Sequence, residues 1–303
     1  MSRRPARAGA PEGGLVVDKA AGLTSHDVVA LARRALGQPR IGHAGTLDPM
    51  APGVLPLLLG RATRLARFLA ADHKTYEAAV RFGQSTSTYD AEGSPVGPTT
   101  RELPDRAAIE AAIDRFRGRF HQMPPAVSAK KVGGHRAYAL ARAAQPVTLE
   151  PVTVEVRRLE LAGFDGTVAT LVIDCSAGFY VRSLAHDLGC ALGVGGHLAA
   201  LRRTRSGRFT LDDSVSIQRI VEDSDEAGAQ VIGMADLLSD LPAQCLSSTE
   251  AAGVAQGRPV EDLEGLRMAF QPGSFVRLLD AQGRLAAVAE ARGRALHPLV
   301  VLL

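Results

Sequence analysis

The densest chemistry in the chain lies in one stretch, Arg40-Ile41-Gly42-His43-Ala44-Gly45-Thr46-Leu47-Asp48-Pro49. His43, Thr46 and Asp48 place three polar side chains in a loop bounded by buried-looking segments. Gly42 and Gly45 permit backbone shapes closed to other residues. Pro49 pushes Asp48 toward extended backbone and out of any helix. An Asx-type turn would use the same residues for local hydrogen bonds alone, with His43 at the surface. A carboxylate carried on such a loop can also act as nucleophile or base, because an unperturbed Asp, with a pKa of about 3.9, is ionised at neutral pH.

The flanking segments have to hold this loop. Leu15 to Asp18 reads as a short strand. Thr24 or Ser25 can cap a helix through Val28, Val29, Leu31, Ala32 and Ala35, ended by Gly37. Val54 to Leu59 reads as a buried strand, and Arg61 to Ala70 has helical spacing. Lys74 to Phe82 alternates as a strand; Pro104 to Phe116 reads as an amphipathic helix with Pro104 near its first turn. Gln122 to Gly134 is a basic loop, followed by a short helix around Arg136 to Ala143. Val152 to Leu161 and Thr167 to Cys175 form a hairpin across Gly163-Phe164-Asp165-Gly166. Phe179 to Arg182 continues as extended chain, and Ser183 caps a helix to Leu192. Beyond Leu241-Pro242 come a helix (Thr249 to Gln256) and three strand-like runs at Phe275 to Leu279, Leu285 to Ala291 and Leu299 to Leu303. The pattern is α+β rather than regular βαβ units.

Several chemistries find no residues. Cys175, Cys190 and Cys245 are far apart with no C-x-x-C, which suggests neither zinc nor a disulfide framework and fits a reducing cytoplasm. There is no H-x-x-E-H site, P-loop or Rossmann fingerprint. Ser25, His26 and Asp27 adjoin, but contiguous triad members point in different directions and no G-x-S-x-G elbow is present, which argues against a hydrolase.

The sequence GHAGTLDP, with VVDKAAGLTSHDVV before it and GVLPLLLGRATRL after it, resembles the signature of the TruB family, the bacterial tRNA pseudouridine-55 synthases. Pro52 departs from the family's usual Thr. KTYEAAVRFGQSTSTYDAEG (Lys74 to Gly93), GFYVRSLAHDLG (Gly178 to Gly189) and LRRTRSGRF (Leu201 to Phe209) resemble three further family segments in the expected order. The similarity runs through nearly the whole chain from about residue 13.

The resemblance implies a pseudouridine-synthase fold: a large mixed, mostly antiparallel sheet flanked by helices, plus a small C-terminal β-rich PUA-like domain. The expected divisions are a flexible tail at 1–12, a catalytic domain at 13–241 with an insertion at about 121–145 that closes on RNA, and an RNA-binding module at 242–303. It also implies an isomerisation that needs no cofactor or metal. Asp48 becomes the catalytic carboxylate, as nucleophile or as base toward the sugar. Arg182 can hold it through paired, charge-assisted hydrogen bonds worth about 4 kcal/mol before desolvation at ~4 Å and an effective dielectric near 20. If Phe179 to Arg182 is extended, Tyr180 and Arg182 share a face. Tyr76 offers a ring to stack on uracil and a phenol near C5. A uridine in a folded T-loop must be flipped out to react. His43 then supports the flipped arrangement, and Leu201 is an apolar substrate contact. Arg64, Lys130 and Lys131 are RNA contacts, the lysines within the basic His121 to Arg142 segment.

Composition is compatible with this. The 303 residues are 46% hydrophobic and 22% charged, enough for a large folded domain plus a small one. The net charge of +3 and pI near 8.9 permit an RNA partner without demanding one. Only four of the 35 basic residues are lysine, so the arginine count reflects composition bias more than function. No apolar run reaches the roughly 20 residues of a membrane helix. No apolar stretch follows the first arginines as in a secretory signal. The expectation is a cytoplasmic monomer acting on the tRNA T-stem-loop without a protein partner. The competing readings are an RNA-guided synthase within a multi-protein particle, and a non-catalytic RNA-binding protein on the same fold.

Overall fold

The computed structural model describes residues 9–70, 73–125, 149–261 and 270–303, with the backbone alone at 131–132 and 135–136. In chain order the elements that bear on the site are β1 (Gly13–Lys19), α1 (Ser25–Ala35), β2 (Ile41–His43), β3 (Gly53–Leu59), β4 (Lys74–Phe82), α2 (Arg106–Ile113), β5 (Gly118–Gln122), β6 (Val152–Phe164), β7 (Val168–Cys175), α3 (Val181–Ala191), β8 (Gly196–Ser206), β9 (Val215–Ser216) and α4 (Ile217–Glu222). A second set follows: β10 (Ala243–Cys245), α5 (Ser248–Ala255), β11 (Val260–Glu261), β12 (Phe275–Leu279), β13 (Leu285–Arg292) and β14 (Ala295–Val301).

The first set forms a sheet in the order β9-β1-β3-β8-β4-β7-β6-β5, with β2 paired to β3. Only β1–β9 and β3–β8 are parallel, so the sheet is mixed and mostly antiparallel. One apolar cluster lies between the sheet and the helices α1, α2, α3 and α4. β3 is buried at every position because both its faces are covered. β4 alternates buried and more exposed residues, as its period-two pattern requires. The second set forms a five-stranded sheet, β10-β12-β13-β14-β11, whose Leu285, Val288, Val300 and Leu302 pack with Val16, Leu58 and Leu237 of the larger body.

Several local expectations change. Thr24 caps α1 in a capping box with Asp27, but Pro104 lies before the cap of α2, which is Asp105. Arg61 to Ala70 begins as a 3-10 turn over Gly60–Leu65 and becomes α-helical only at Ala66–Ala70. His135–Arg136 pairs with Lys131–Val132 as a small hairpin, so Arg136 does not begin a helix. The rest of the expected 136–143 helix, and Lys130, lie outside the described residues. Ser183 is not a cap: α3 starts at Val181, with Tyr180 as its N-cap at φ −111° and ψ 107°. β8 went unpredicted, because its glycine-rich start and its arginines mask the period-two pattern.

Candidate active site

The loop between β2 and β3 is clamped from below by two buried cations. Arg203, on β8 and fully buried, donates to the carbonyls of Val54 (2.7 Å), Gly45 (3.0 Å) and Thr46 (3.3 Å). Lys19, at the end of β1 and also fully buried, donates to Leu23 (2.7 Å), Ala20 (3.1 Å) and Pro49 (3.2 Å). Burial lowers the Lys19 ammonium to about 8, with nearby Asp48 opposing the shift. Ser25, in the first turn of α1, grips the Leu47 peptide on both sides: its Oγ accepts from Leu47 N–H at 2.9 Å and donates to Leu47 carbonyl at 3.2 Å. Gly53, at φ 117°, must be glycine, because a Cβ there would come within 2.1 Å of the Arg203 carbonyl.

This clamping leaves the Asp48 side chain facing out of the loop. Arg182 meets it as a two-pronged fork, with Nε 2.9 Å from Oδ2 and Nη2 3.2 Å from Oδ1. The third nitrogen, Nη1, lies 3.5 Å from Oδ2 of buried Asp90 and 3.4 Å from the Thr88 carbonyl. The Arg182 side chain is 8% exposed and that of Asp90 6%, whereas that of Asp48 is 36% exposed. The guanidinium is therefore held between two carboxylates, and one of them opens to solvent. Those two negative charges offset the cost of burying Arg182.

A pocket opens above the pair, lined by Thr46, Leu47, Asp48, Tyr76, Phe179, Tyr180, Val181, Arg182 and Leu201. The fold thus brings together five of the residues picked from the sequence. It does so by a different route from simple strand alternation. Tyr180 is extended, but Arg182 sits in the first turn of α3. Gln122, at the end of β5, fixes Tyr180: its amide donates to the Tyr180 carbonyl at 3.0 Å and accepts from the Tyr180 N–H at 2.8 Å. Burial raises the Tyr76 phenol above its ordinary value, while the adjacent Arg203 pulls the other way.

Other expected residues lie elsewhere. His43 ends β2 outside the pocket lining, its ring edge-on to that of His26 at 5.7 Å. Arg64 is exposed and donates to the Val301 carbonyl of β14, tying the 3-10 turn after β3 to the C-terminal sheet. Lys131 is described as backbone only. Lys19, Asp90, Gln122 and Arg203 were not singled out from the sequence. Lys19 is the last residue of β1 and follows Asp18, so it reads locally as an ordinary polar strand end, and nothing local marks the other three as buried. Among the described residues no group of three or more His, Cys, Asp or Glu side chains is placed to hold a metal ion, and no helix is long and apolar enough to cross a membrane.

Comparison with known proteins adds a family. Residues 33–181 match the TruB family pseudouridylate synthase N-terminal domain, and residues 182–240 match a tRNA pseudouridylate synthase B C-terminal domain. A tRNA pseudouridine synthase B of Solibacter usitatus is 43% identical over 295 residues, covering 96% of this chain and all of the relative. That of Mycolicibacterium paratuberculosis is 45% identical over 284 residues, covering 90% of this chain and 94% of the relative. Among solved structures, a chain of a Cbf5-Nop10-Gar1 complex aligns at a TM-score of 0.74 with 26% identity, over 99% of this chain and 88% of that one.

Proposed function

Starting from a chain that belongs to the TruB family of pseudouridylate synthases, we propose that it isomerises uridine 55 in the T-loop of tRNA, with Asp48 acting on the sugar of a flipped nucleotide. The observation that carries this reading is the Asp48–Arg182 fork at the mouth of a pocket that also holds Tyr76.

The reaction breaks N1–C1′ of uridine, turns the base, forms C5–C1′ and releases the C5 proton while N1 takes one up. No atoms are gained or lost. The part-exposed Asp48 carboxylate is the group with access to the sugar, either as nucleophile at C1′ or as base. Arg182 fixes its rotamer and keeps two oxygens oriented toward the pocket. Tyr76 and Tyr180 supply flat faces for the extruded uracil, and Leu201 closes the apolar side. The Tyr76 phenol lines the same pocket and is the group assigned to proton transfer at C5; burial raises its pKa and the adjacent Arg203 opposes that shift.

Outside the pocket, His43 supports the space left by the flipped base. Arg64 and the segment at about 121–145 with Lys130 and Lys131 contact phosphates, which position RNA without reading bases. Residues 242–303 form a PUA-like RNA-binding module, and residues 13–241 the catalytic domain. The chain works in the cytoplasm as a monomer, with no protein partner and no cofactor. High identity to tRNA pseudouridine synthases over nearly full length supports the tRNA substrate over an RNA-guided one.

The test is tritium release from tRNA carrying 5-tritiated uridine. Asp48→Asn is expected to lose activity by on the order of 10⁴-fold or more while still binding tRNA. Arg182→Ala is expected to fall by on the order of 10²- to 10³-fold, with Arg182→Lys recovering only part. Full activity of Asp48→Asn would overturn the assignment.

A further inference from the structure

Among the described residues, Tyr89 is the one non-glycine with a left-handed backbone, at φ 65°. Bulky side chains avoid that region because the Cβ crowds the neighbouring carbonyl. The surrounding hydrogen bonds explain what imposes it. Tyr89 N–H closes a turn on the Thr86 carbonyl at 3.2 Å. The chain must then join β8 at once: Leu198 N–H donates to the Tyr89 carbonyl and Ala91 N–H to the Leu198 carbonyl, both at 2.9 Å. The residues on either side of Tyr89 carry what the turn delivers. Thr88 offers its carbonyl, and Asp90 its carboxylate, to Nη1 of Arg182.

A strained turn needs something to hold it. The Tyr89 ring lies flat on the imidazole of His186, with centroids 3.9 Å apart and planes 9° from parallel. His186 stands one helical turn beyond Arg182 on α3, so both project from the same face of that helix. Nδ1 of His186 is buried with no hydrogen-bond partner among the described residues, and Nε2 is 3.6 Å from the Cys190 sulfur. The stack, rather than a strong hydrogen bond, fixes that ring.

We propose that Tyr89 is a positioning residue: by stacking on His186 it holds the 86–90 turn in its left-handed form, so that Thr88 and Asp90 keep the Arg182 guanidinium aimed at Asp48. This rests on the roles proposed above for Asp48 and Arg182. Tyr89 lies outside the lining of the pocket and acts through Arg182.

The experiment compares single-turnover tritium release with tRNA affinity in the full chain. Tyr89→Ala is expected to slow the chemical step by about tenfold or more, because small misplacements of reacting groups are costly, while tRNA affinity stays within about twofold. Tyr89→Phe keeps the ring and rescues the rate. Tyr89→Gly loses the ring but accepts the left-handed backbone, so its rate falls between the two. His186→Ala slows the step as well, and the double variant is no slower than the worse single, because both remove one contact. The proposal is overturned if Tyr89→Ala turns over at the wild-type rate, if its loss is matched by lost tRNA affinity, or if the two losses multiply. Should Tyr89→Ala fail to fold, Tyr89→Gly and His186→Ala carry the same comparison. Asp48→Asn run alongside separates the two levels. If it is as active as wild type, the underlying reading fails; if it is silent while Tyr89→Ala is unimpaired, only the role of Tyr89 fails.

Discussion

The loop that presents Asp48 and the C-terminal five-stranded sheet are built on opposite principles. Around the loop, Lys19, Arg182 and Arg203 are all buried, and they meet carbonyls and carboxylates rather than apolar neighbours. In the C-terminal sheet the buried cluster is apolar throughout, with Val276, Leu278, Ala287, Ala289 and Leu296 at its centre. Of its arginines, Arg284 and Arg292 sit at the rim, beside Asp280 at 2.8 Å and beside Glu290, and half-buried Arg277 of β12 donates to the carbonyls of Leu241 and Ala235 outside the cluster. Apolar burial is the cheaper way to stabilise a sheet, since a buried charge must recover its lost hydration. The loop gives up that economy, and in return its backbone is fixed by directional donors and an anionic carboxylate is held beside a pocket. Buried charge of this kind marks where geometry rather than bulk stability is being maintained.

The sharpest way to break that contrast is to remove the loop's central cation. Arg203→Met leaves three carbonyls without their donor, at about 1–3 kcal/mol each when they stay dry. The expected result is a loss of turnover on the order of 10²-fold, a drop in melting temperature by scanning calorimetry, and little change in tRNA affinity. A variant with normal turnover would show that the loop holds its shape without the clamp.

Lys19 gives a test that reads charge alone. Its folded value of about 8 lies below its ordinary 10.5, so between those pH values the unfolded chain binds more protons than the folded one. Stability from this group therefore rises with pH across that window, by up to about 3 kcal/mol at 1.36 kcal/mol per unit. The difference in unfolding free energy between wild type and Lys19→Met is expected to climb by that amount from pH 8 to 10.5 in urea titrations. A constant difference would mean that the ammonium is not desolvated.

The smallest effect belongs to the other region. Val288→Ala removes two buried methyl groups from the cluster joining the two sheets, at about 2 kcal/mol. Turnover well below the melting temperature is expected to stay unchanged. A large loss of turnover would erase the distinction between a stabilising region and a catalytic one.

Much of the scaffold was readable because it depends on neighbours in the chain. The strand at Lys74–Phe82 follows from alternation, the helix at Ser25–Ala35 from Thr24 and Gly37, and the strands at Phe275–Leu279 and Leu285–Arg292 from their apolar runs, whereas the last strand, Ala295–Val301, begins four residues before the expected Leu299. The candidate site residues were legible for another reason: the motifs carrying Asp48, Tyr76, Tyr180, Arg182 and Leu201 stand in a recognisable order, and these five line one pocket. The path to that pocket was misread at Arg182, which lies in a helix because Tyr180, pinned by Gln122 from another strand, takes the N-cap position that Ser183 had been given.

By itself the sequence determined which side chains are available and where the chain turns, since both follow from residue type and local spacing. The tertiary structure alone decided which charges are buried and which partners they meet. Arg182 reaches Asp48 across 134 positions, and Arg203 reaches Gly45 across 158. Desolvation and ion pairing act through space, so no periodicity along the chain encodes them; they exist only once the sheet has brought β8 against the loop and α3 above it.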